Sequence, residues 1–257
     1  RRDGHSRFGE KNRWGTFYAA SAAWRLSSEA FLQDVTWLDN LRVRASYGVT
    51  GNANIGLNQY QALLNYDSSY AGEGASYPGT FGNDDLSWET SNTLDIGLDF
   101  GFMENKITGS VGYYNRETQD MLLDVPLSLT TGFTEQTRNI GRMQNTGFEM
   151  DINIDIIRKK DMNFSVGGNL GTNANEILEL SKDINGEEVN ITSTTDRVES
   201  GHPVYGWYMP TWAGVDSQTG DELWYVNPEE NDETSSNFND AEQVWQGGSA
   251  IPTITAG

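Results

Sequence analysis

Between Leu41 and Val49 every second residue is apolar: Leu41, Val43, Ala45, Tyr47 and Val49 alternate with Arg42, Arg44, Ser46 and Gly48. The same period governs two further stretches. Leu94, Ile96, Leu98, Phe100 and Phe102 interleave with Asp95, Gly97, Asp99 and Gly101. Phe148, Met150, Ile152, Ile154 and Ile156 interleave with Glu149, Asp151, Asn153 and Asp155. Residues 107–113 and 162–170 follow the rule with weaker side chains, and residues 14–26 give a blurred, Ala-rich version. Successive strand side chains point to opposite faces, so this pattern predicts six strands, each apolar on one face and charged or glycine on the other. They run to about ten residues, against about 5–6 for an ordinary strand.

The connections alternate in length. Met103-Glu104-Asn105-Lys106 and Arg158-Lys159-Lys160-Asp161 read as tight turns, and residues 27–40 as a longer one with a short helical piece around Glu29-Ala30-Phe31-Leu32. Between them lie long links at 51–93, 123–145 and everything after Glu176. Structureless loops of that length count against a compact soluble domain, whereas short turns on one rim and long loops on the other suit an outer-membrane barrel. One hairpin design also recurs: Thr93-Leu94-Asp95-Ile96 echoes Thr146-Gly147-Phe148-Glu149-Met150 with one residue skipped, and each leads through a Lys-bearing turn to Ser-Val-Gly (Ser110 to Gly112, Ser165 to Gly167). Such repetition is expected of an up-and-down barrel.

Composition narrows the field. The chain has 257 residues and a net charge of −20, and 11 % of it is aromatic, with 28 Gly and only 6 Pro. That balance points to strands and turns and away from both disorder and a helical bundle. Acidity of this degree excludes a phosphate-tracking nucleic-acid surface. The absence of Cys excludes disulfides, thiol catalysis and Cys-ligated metals. After Glu176 there are 15 acids against Lys182 and Arg197 alone, the pattern of a solvated surface. No stretch approaches the roughly 18 apolar residues of a transmembrane helix, but a barrel strand crosses with about 9–11. Arg1-Arg2-Asp3-Gly4 has neither initiator Met nor signal peptide, and Ile254-Thr255-Ala256-Gly257 reads as the approach to a strand, so a piece of a longer chain is expected.

Alternation fits two folds with opposite wetting. A soluble sandwich packs its apolar faces together; a transmembrane barrel turns them to lipid and lines a wet interior with charges. Aromatics near the strand ends favour the barrel. Trp24, Trp37, Phe100 and Phe102 lie toward the short-turn rim, and Tyr47, Tyr113, Tyr114 and Phe148 toward the other, as two interfacial girdles. Backbone groups left unpaired in lipid cost several kcal/mol each, so such strands must belong to a closed barrel, and six are too few to close one.

Several motifs carry a family resemblance: Ser6-Arg7-Phe8-Gly9, Arg13-Trp14-Gly15-Thr16-Phe17, Ala23-Trp24-Arg25-Leu26-Ser27, the run from Trp37-Leu38-Asp39-Asn40 to Val49-Thr50-Gly51-Asn52, Leu86-Ser87-Trp88-Glu89-Thr90, Gly112-Tyr113-Tyr114-Asn115, Asn145-Thr146-Gly147-Phe148-Glu149 and Gly214-Val215-Asp216. In order and spacing they resemble the SusC/RagA family, the TonB-dependent outer-membrane transporters of Bacteroidota. The resemblance implies an all-β fold: a segment of an antiparallel up-and-down transmembrane barrel, about 22-stranded and plugged, with long extracellular loops, and with the plug domain and terminal strands absent from residues 1–257. It implies energised import, usually of glycan oligosaccharides and sometimes of peptides. The implied partners are a SusD-like surface lipoprotein and the TonB-ExbB-ExbD complex, the latter reached through an N-terminal part.

Residue chemistry offers little for catalysis. Asp95/Asp99 and Asp151/Asp155 are four apart on a strand, about 13 Å, beyond the roughly 5–9.5 Å of a glycosidase pair. Glu149/Asp151 fall within that range but are read as charges lining a wet lumen. In the barrel reading Arg42, Arg44, Asp95, Asp99, Glu149, Asp151 and Asp155 line that lumen. His5 and His202 sit apart beside Gly, without a third partner for a triad or a zinc site. Asp216-Ser217-Gln218-Thr219-Gly220-Asp221 lacks the spacing and final Glu of a calcium loop and reads as a turn between strands. No enzyme, metal or cofactor is expected. Flat aromatic faces suit sugar rings, and the candidates on the long loops are Tyr60, Tyr66, Tyr70, Tyr77, Trp88, Trp207, Tyr208, Trp212, Trp224, Tyr225 and Trp245. The rival function is a soluble, secreted carbohydrate-binding module or adhesin using the same aromatics.

Overall fold

The structure, a computed structural model, describes residues 1–182, 187–192, 195–204 and 206–225, together with the backbone of 234–235 and 243–246. The side chain of Trp245 and the stretch Ile254 to Gly257 lie outside the described residues. The chain divides into two compact units, Arg1–Asn173 and Ala174–Gly257.

The first unit is built on one six-stranded sheet: β1 (Ala19–Arg25), β2 (Leu38–Asn52), β3 (Glu89–Phe102), β4 (Ile107–Gln119), β5 (Arg142–Lys159) and β6 (Met162–Glu179), the last running on into the second unit. The sheet order follows the chain order, and the registered neighbours from β1 to β5 are antiparallel, an up-and-down meander. Register keeps the two faces separate. Val43 stands opposite Leu98 and Ala45 opposite Ile96; Leu98 in turn faces Val111, and Val111 faces Met150. On the other face Arg42 is opposite Asp99, Ser46 opposite Asp95 and Asp151 opposite Ser110.

The apolar face is not a core. Ile96, mid-strand, keeps 44 % of its surface exposed, and Trp24, Tyr47, Leu94, Tyr113, Phe148 and Ile154 are likewise open. Among the described residues of this unit the other sheets are two-stranded, and none supplies the covering layer of a sandwich. A buried apolar cluster lies in the loops instead: Phe8 and Leu86 are fully buried and pack with Ile55, with Ala53, Tyr60, Trp88 and Leu122 around them.

Three adjoining strand pairs share one packing device. Arg44 lies over Gly97, Phe100 over Gly109, and Tyr114 over Gly147, each the direct cross-strand partner of its glycine. A Cβ on Gly97 would fall 2.5 Å from Arg44 Cζ, and one on Gly109 2.7 Å from Phe100 Cζ. The missing side chain is the space the larger one fills.

Several expectations are corrected. Residues 14–26 are not one strand: Trp14–Thr16 pairs with Arg2–Gly4, and only Ala19–Arg25 joins the sheet. The short helical piece is a 3-10 turn at Leu26–Ser28 and not at 29–32. The five strands β2 to β6 are longer than the expected ten residues, 13 to 18 each, because their polar ends continue beyond the apolar band. Arg158 and Lys159 still belong to β5, leaving Lys160 and Asp161 as the turn. In the other tight turn Met103, Glu104 and Asn105 all adopt positive φ (56°, 61°, 56°). Tyr114 leaves the predicted girdle: it sits on the polar face opposite Asp95 and Gly147, and its hydroxyl donates to Asn173 Oδ1 at 2.9 Å. The long links are not structureless, since Leu64–Tyr70 pairs with Glu73–Pro78 and Leu122–Pro126 with Glu135–Asn139.

The second unit carries short antiparallel pairs: Ile191–Thr192 with Arg197–Val198, Trp207–Pro210 with Gln243–Gln246, and Trp212–Val215 with Glu222–Tyr225. Ile177 and Leu180 are buried in it, and Ile177 exchanges backbone hydrogen bonds with Gly201 and His202 (2.8 and 2.9 Å).

Candidate functional site

The polar face of the sheet brings the charged residues together. Arg42 donates through Nε to Asp99 Oδ2 at 2.8 Å, with Nη2 at 2.6 Å from the same oxygen. Arg44 reaches Asp95 at 3.0 Å and Asp99 at 3.4 Å, so one guanidinium ties the two carboxylates that the strand spacing separates. Ser110 donates to Asp151, its cross-strand partner. Arg44, Asp95, Glu149 and Asp151 border one shallow depression of this face with Ser110 and Asn169. Asp155 stands apart near the short-turn end, paired with Arg158 at 3.6 Å. These pairs are half-open to water, and each stabilises the fold by at most about 1 kcal/mol. Their chief effect is to make the face wettable and to fix where its charge lies.

The loop aromatics separate into two kinds. Trp88 is half-buried among Phe17 (5.3 Å between centroids), Phe8 (5.4 Å) and His5 (6.1 Å), and its indole N–H donates to the Arg13 carbonyl at 3.1 Å. Tyr60 packs on the same cluster. Both therefore hold their own loops. Tyr66, Tyr70 and Tyr77 stand open on the hairpin of Leu64–Tyr70 and Glu73–Pro78, with Tyr66 77 % exposed. In the second unit Trp207 and Trp212 are open. Trp224 faces Trp212 across its strand pair, and Tyr208 lies against Arg197, whose Nη1 donates to the tyrosine hydroxyl at 3.1 Å. Tyr225 is half-buried. His5 accepts from the Arg7 amide at 3.2 Å, so its ring is part of a turn.

Asp216 opens the turn expected between two strands. Its Oδ1 accepts from the Gln218 amide at 2.7 Å and the Thr219 amide at 3.2 Å, and these bonds hold the carboxyl below its ordinary pKa.

An apolar sheet face without a covering layer and a charged face behind it are what a barrel wall in lipid requires. The profile of the TonB-dependent receptor-like β-barrel family matches residues 1–250. The chain belongs to that family. Among the relatives of this chain, SusC of Bacteroides thetaiotaomicron, a TonB-dependent receptor, is 40 % identical over 191 residues, which cover 70 % of this chain and 19 % of that protein. Receptor P3 of Formosa agariphila is 33 % identical over 228 residues, 84 % of this chain and 22 % of the relative. Solved structures of the RagAB peptide transporter match with a TM-score of 0.82 at 34 % identity, over 93 % of this chain and 27 % of that one; the closed-closed state of the RagAB peptide importer matches equally well over 95 %. This chain thus spans about a fifth of the relatives' length and about a quarter of the solved chains. Members of the TonB-dependent receptor family reside in the outer membrane, and the sheet is part of such a receptor's barrel wall.

One further group of residues carries no mark in the sequence. A cavity of about 350 Å³ lies between segment 54–59, segment 79–81 and the hairpin of Leu122–Pro126 with Glu135–Asn139. Its lining includes Gln59, Thr80, Phe81, Asp124, Phe133, Glu135 and Gln136. No single spacing marks these residues, because three loop segments contribute to it.

Proposed function

We propose that the intact protein imports oligosaccharides through a TonB-dependent outer-membrane barrel, with a SusD-like surface lipoprotein over its loops and the TonB-ExbB-ExbD complex supplying energy. One observation carries this reading: a strand wall that is apolar on one face and ion-paired on the other, in a chain whose loops carry exposed aromatics. Asp95, Asp99 and Asp155 are held by arginines and Asp151 by a serine hydroxyl, which supports a wall that lines a path rather than an acid–base pair. Aromatics such as Tyr66, Tyr77, Trp207 and Trp212 offer faces on which sugar rings stack.

Peptide import is the second reading, and the RagAB likeness favours it. Uptake by cells expressing the full-length protein separates the two. Labelled oligosaccharides should accumulate, and loss of TonB should abolish accumulation; uptake of labelled peptides with exclusion of oligosaccharides would overturn the glycan reading. A full-length protein recovered soluble from the periplasm would overturn import itself.

A further inference from the structure

The loop cavity is a built site. Gln136, almost fully buried, bridges two of its walls: Nε2 donates to the carbonyls of Phe81 (3.4 Å) and Gly82 (3.0 Å), while Oε1 accepts from Arg138 Nε at 2.7 Å. Asn83 Nδ2 donates to the Thr137 carbonyl at 3.0 Å, and Thr137 Oγ1 donates to Asp124 Oδ1 at 2.6 Å. Thr80 Oγ1 fastens the third segment by donating to the Gln61 carbonyl at 2.9 Å and accepting from the Leu63 amide at 3.0 Å. Gly82 passes so close to the backbone of Gln61 and Ala62 that no side chain fits between them. These crosslinks tie the three segments around the cavity, whose volume falls in the range of about 300–1,000 Å³ usual for small-molecule sites.

Its chemistry is selective. Phe81 and Phe133 meet at 5.2 Å between centroids with a 51° tilt and form an apolar corner. Around it stand the amide of Gln59 and the carboxylates of Asp124 and Glu135, and no Lys or Arg lines the space. The Glu135 carboxylate makes no ion pair or hydrogen bond among the described residues. A sulfate, phosphate or uronate would lose its hydration there without a cation to replace it. A peptide's carboxyl end would meet the same difficulty. Carboxylate and amide groups beside an aromatic corner match a ring that carries hydroxyls on its edge and C–H groups on its face.

We propose that this cavity is a subsite for an uncharged sugar unit of the imported glycan, with Phe133 supplying the stacking face and Glu135 accepting from ring hydroxyls. The proposal rests on the glycan reading above. The test uses the full-length transporter, purified in detergent with its partners, and three probes: mixed neutral gluco-, manno- and xylo-oligosaccharides, oligogalacturonides, and a casein peptide digest. Retained material is identified by mass spectrometry for the wild type, Phe133→Ala and Glu135→Lys, each checked for heat-modifiable gel migration. The wild type should retain the neutral pool, and both variants should weaken that retention roughly tenfold. Glu135→Lys should in addition begin to retain oligogalacturonides. Neutral retention that is equal in all three proteins overturns the subsite and leaves the glycan reading standing. Wild-type preference for oligogalacturonides overturns the selectivity argued here. Retention of peptides alone overturns the glycan reading and the proposal with it.

Discussion

The sheet and the loop cluster above it use the same residue types under opposite rules. In the loops Phe8 and Leu86 are wholly enclosed by protein, as in any water-soluble core. A short distance along the chain Leu94 and Ile96 present more than a third of their surface outward, in a strand whose other face is ionic. Apolar residues select protein neighbours where the surroundings are water and need none where the surroundings are hydrocarbon. An uncovered apolar face backed by an ionic one therefore marks the part of this chain that meets lipid, and a closed apolar cluster marks a part that meets water.

That contrast can be broken from either side. Leu86→Ala removes a fully buried side chain from the loop cluster and should destabilise it by about 2–5 kcal/mol. Proteolysis of the full-length protein should accelerate within residues 53–88, while heat-modifiable migration of the barrel persists; loss of the barrel as well would show one cooperative unit. Ile96→Arg places a charge on the outward face at mid-strand and should destabilise the inserted barrel by about 2–4 kcal/mol. A urea titration in lipid vesicles, read by gel migration, checks this, and an unchanged midpoint would mean that Ile96 does not meet lipid. A spin label at Ile154 should likewise report contact with lipid-soluble rather than water-soluble relaxants.

The smallest effect lies in the second unit. Hydrogen bonds from the Gln218 and Thr219 amides lower the folded pKa of Asp216. Their contribution to the turn is then fully present above the unfolded carboxylate value and is lost as pH falls through the lowered one. In selectively labelled full-length protein the Gln218 and Thr219 amide shifts should titrate with a midpoint below about 3.9. A midpoint at or above that value would contradict the turn geometry.

The wall was legible because period-two alternation sustained over nine or more residues, as at 41–49, 94–102 and 148–156, demands a strand with two unlike faces. Tyr114 shows the limit of reasoning by rim position: parity counted from Val111 sends Tyr113 to the apolar face and Tyr114 to the polar one. The loop cluster was not legible. Phe8, Ile55 and Leu86 lie tens of residues apart without periodicity, and only tertiary packing joins them. The hairpin of Leu64–Tyr70 likewise lacks an alternating face, both sides being open to water. For the same reason Trp88 and Tyr60 looked equivalent to Tyr66 in sequence, although two of the three are held by the cluster and one is not.

The large-over-glycine pairs have a consequence for assembly. Face parity rejects a strand that inserts one residue out of step, since every apolar group would then point inward. It is blind to a slip of two, which restores the faces. Such a slip between β2 and β3 would set Arg44 against Asp95 or Asp99 instead of its glycine, and the neighbouring seams would likewise displace Phe100 from Gly109 and Tyr114 from Gly147. With one notch at each of three successive seams, β3, β4 and β5 can each be indexed against the strand before it.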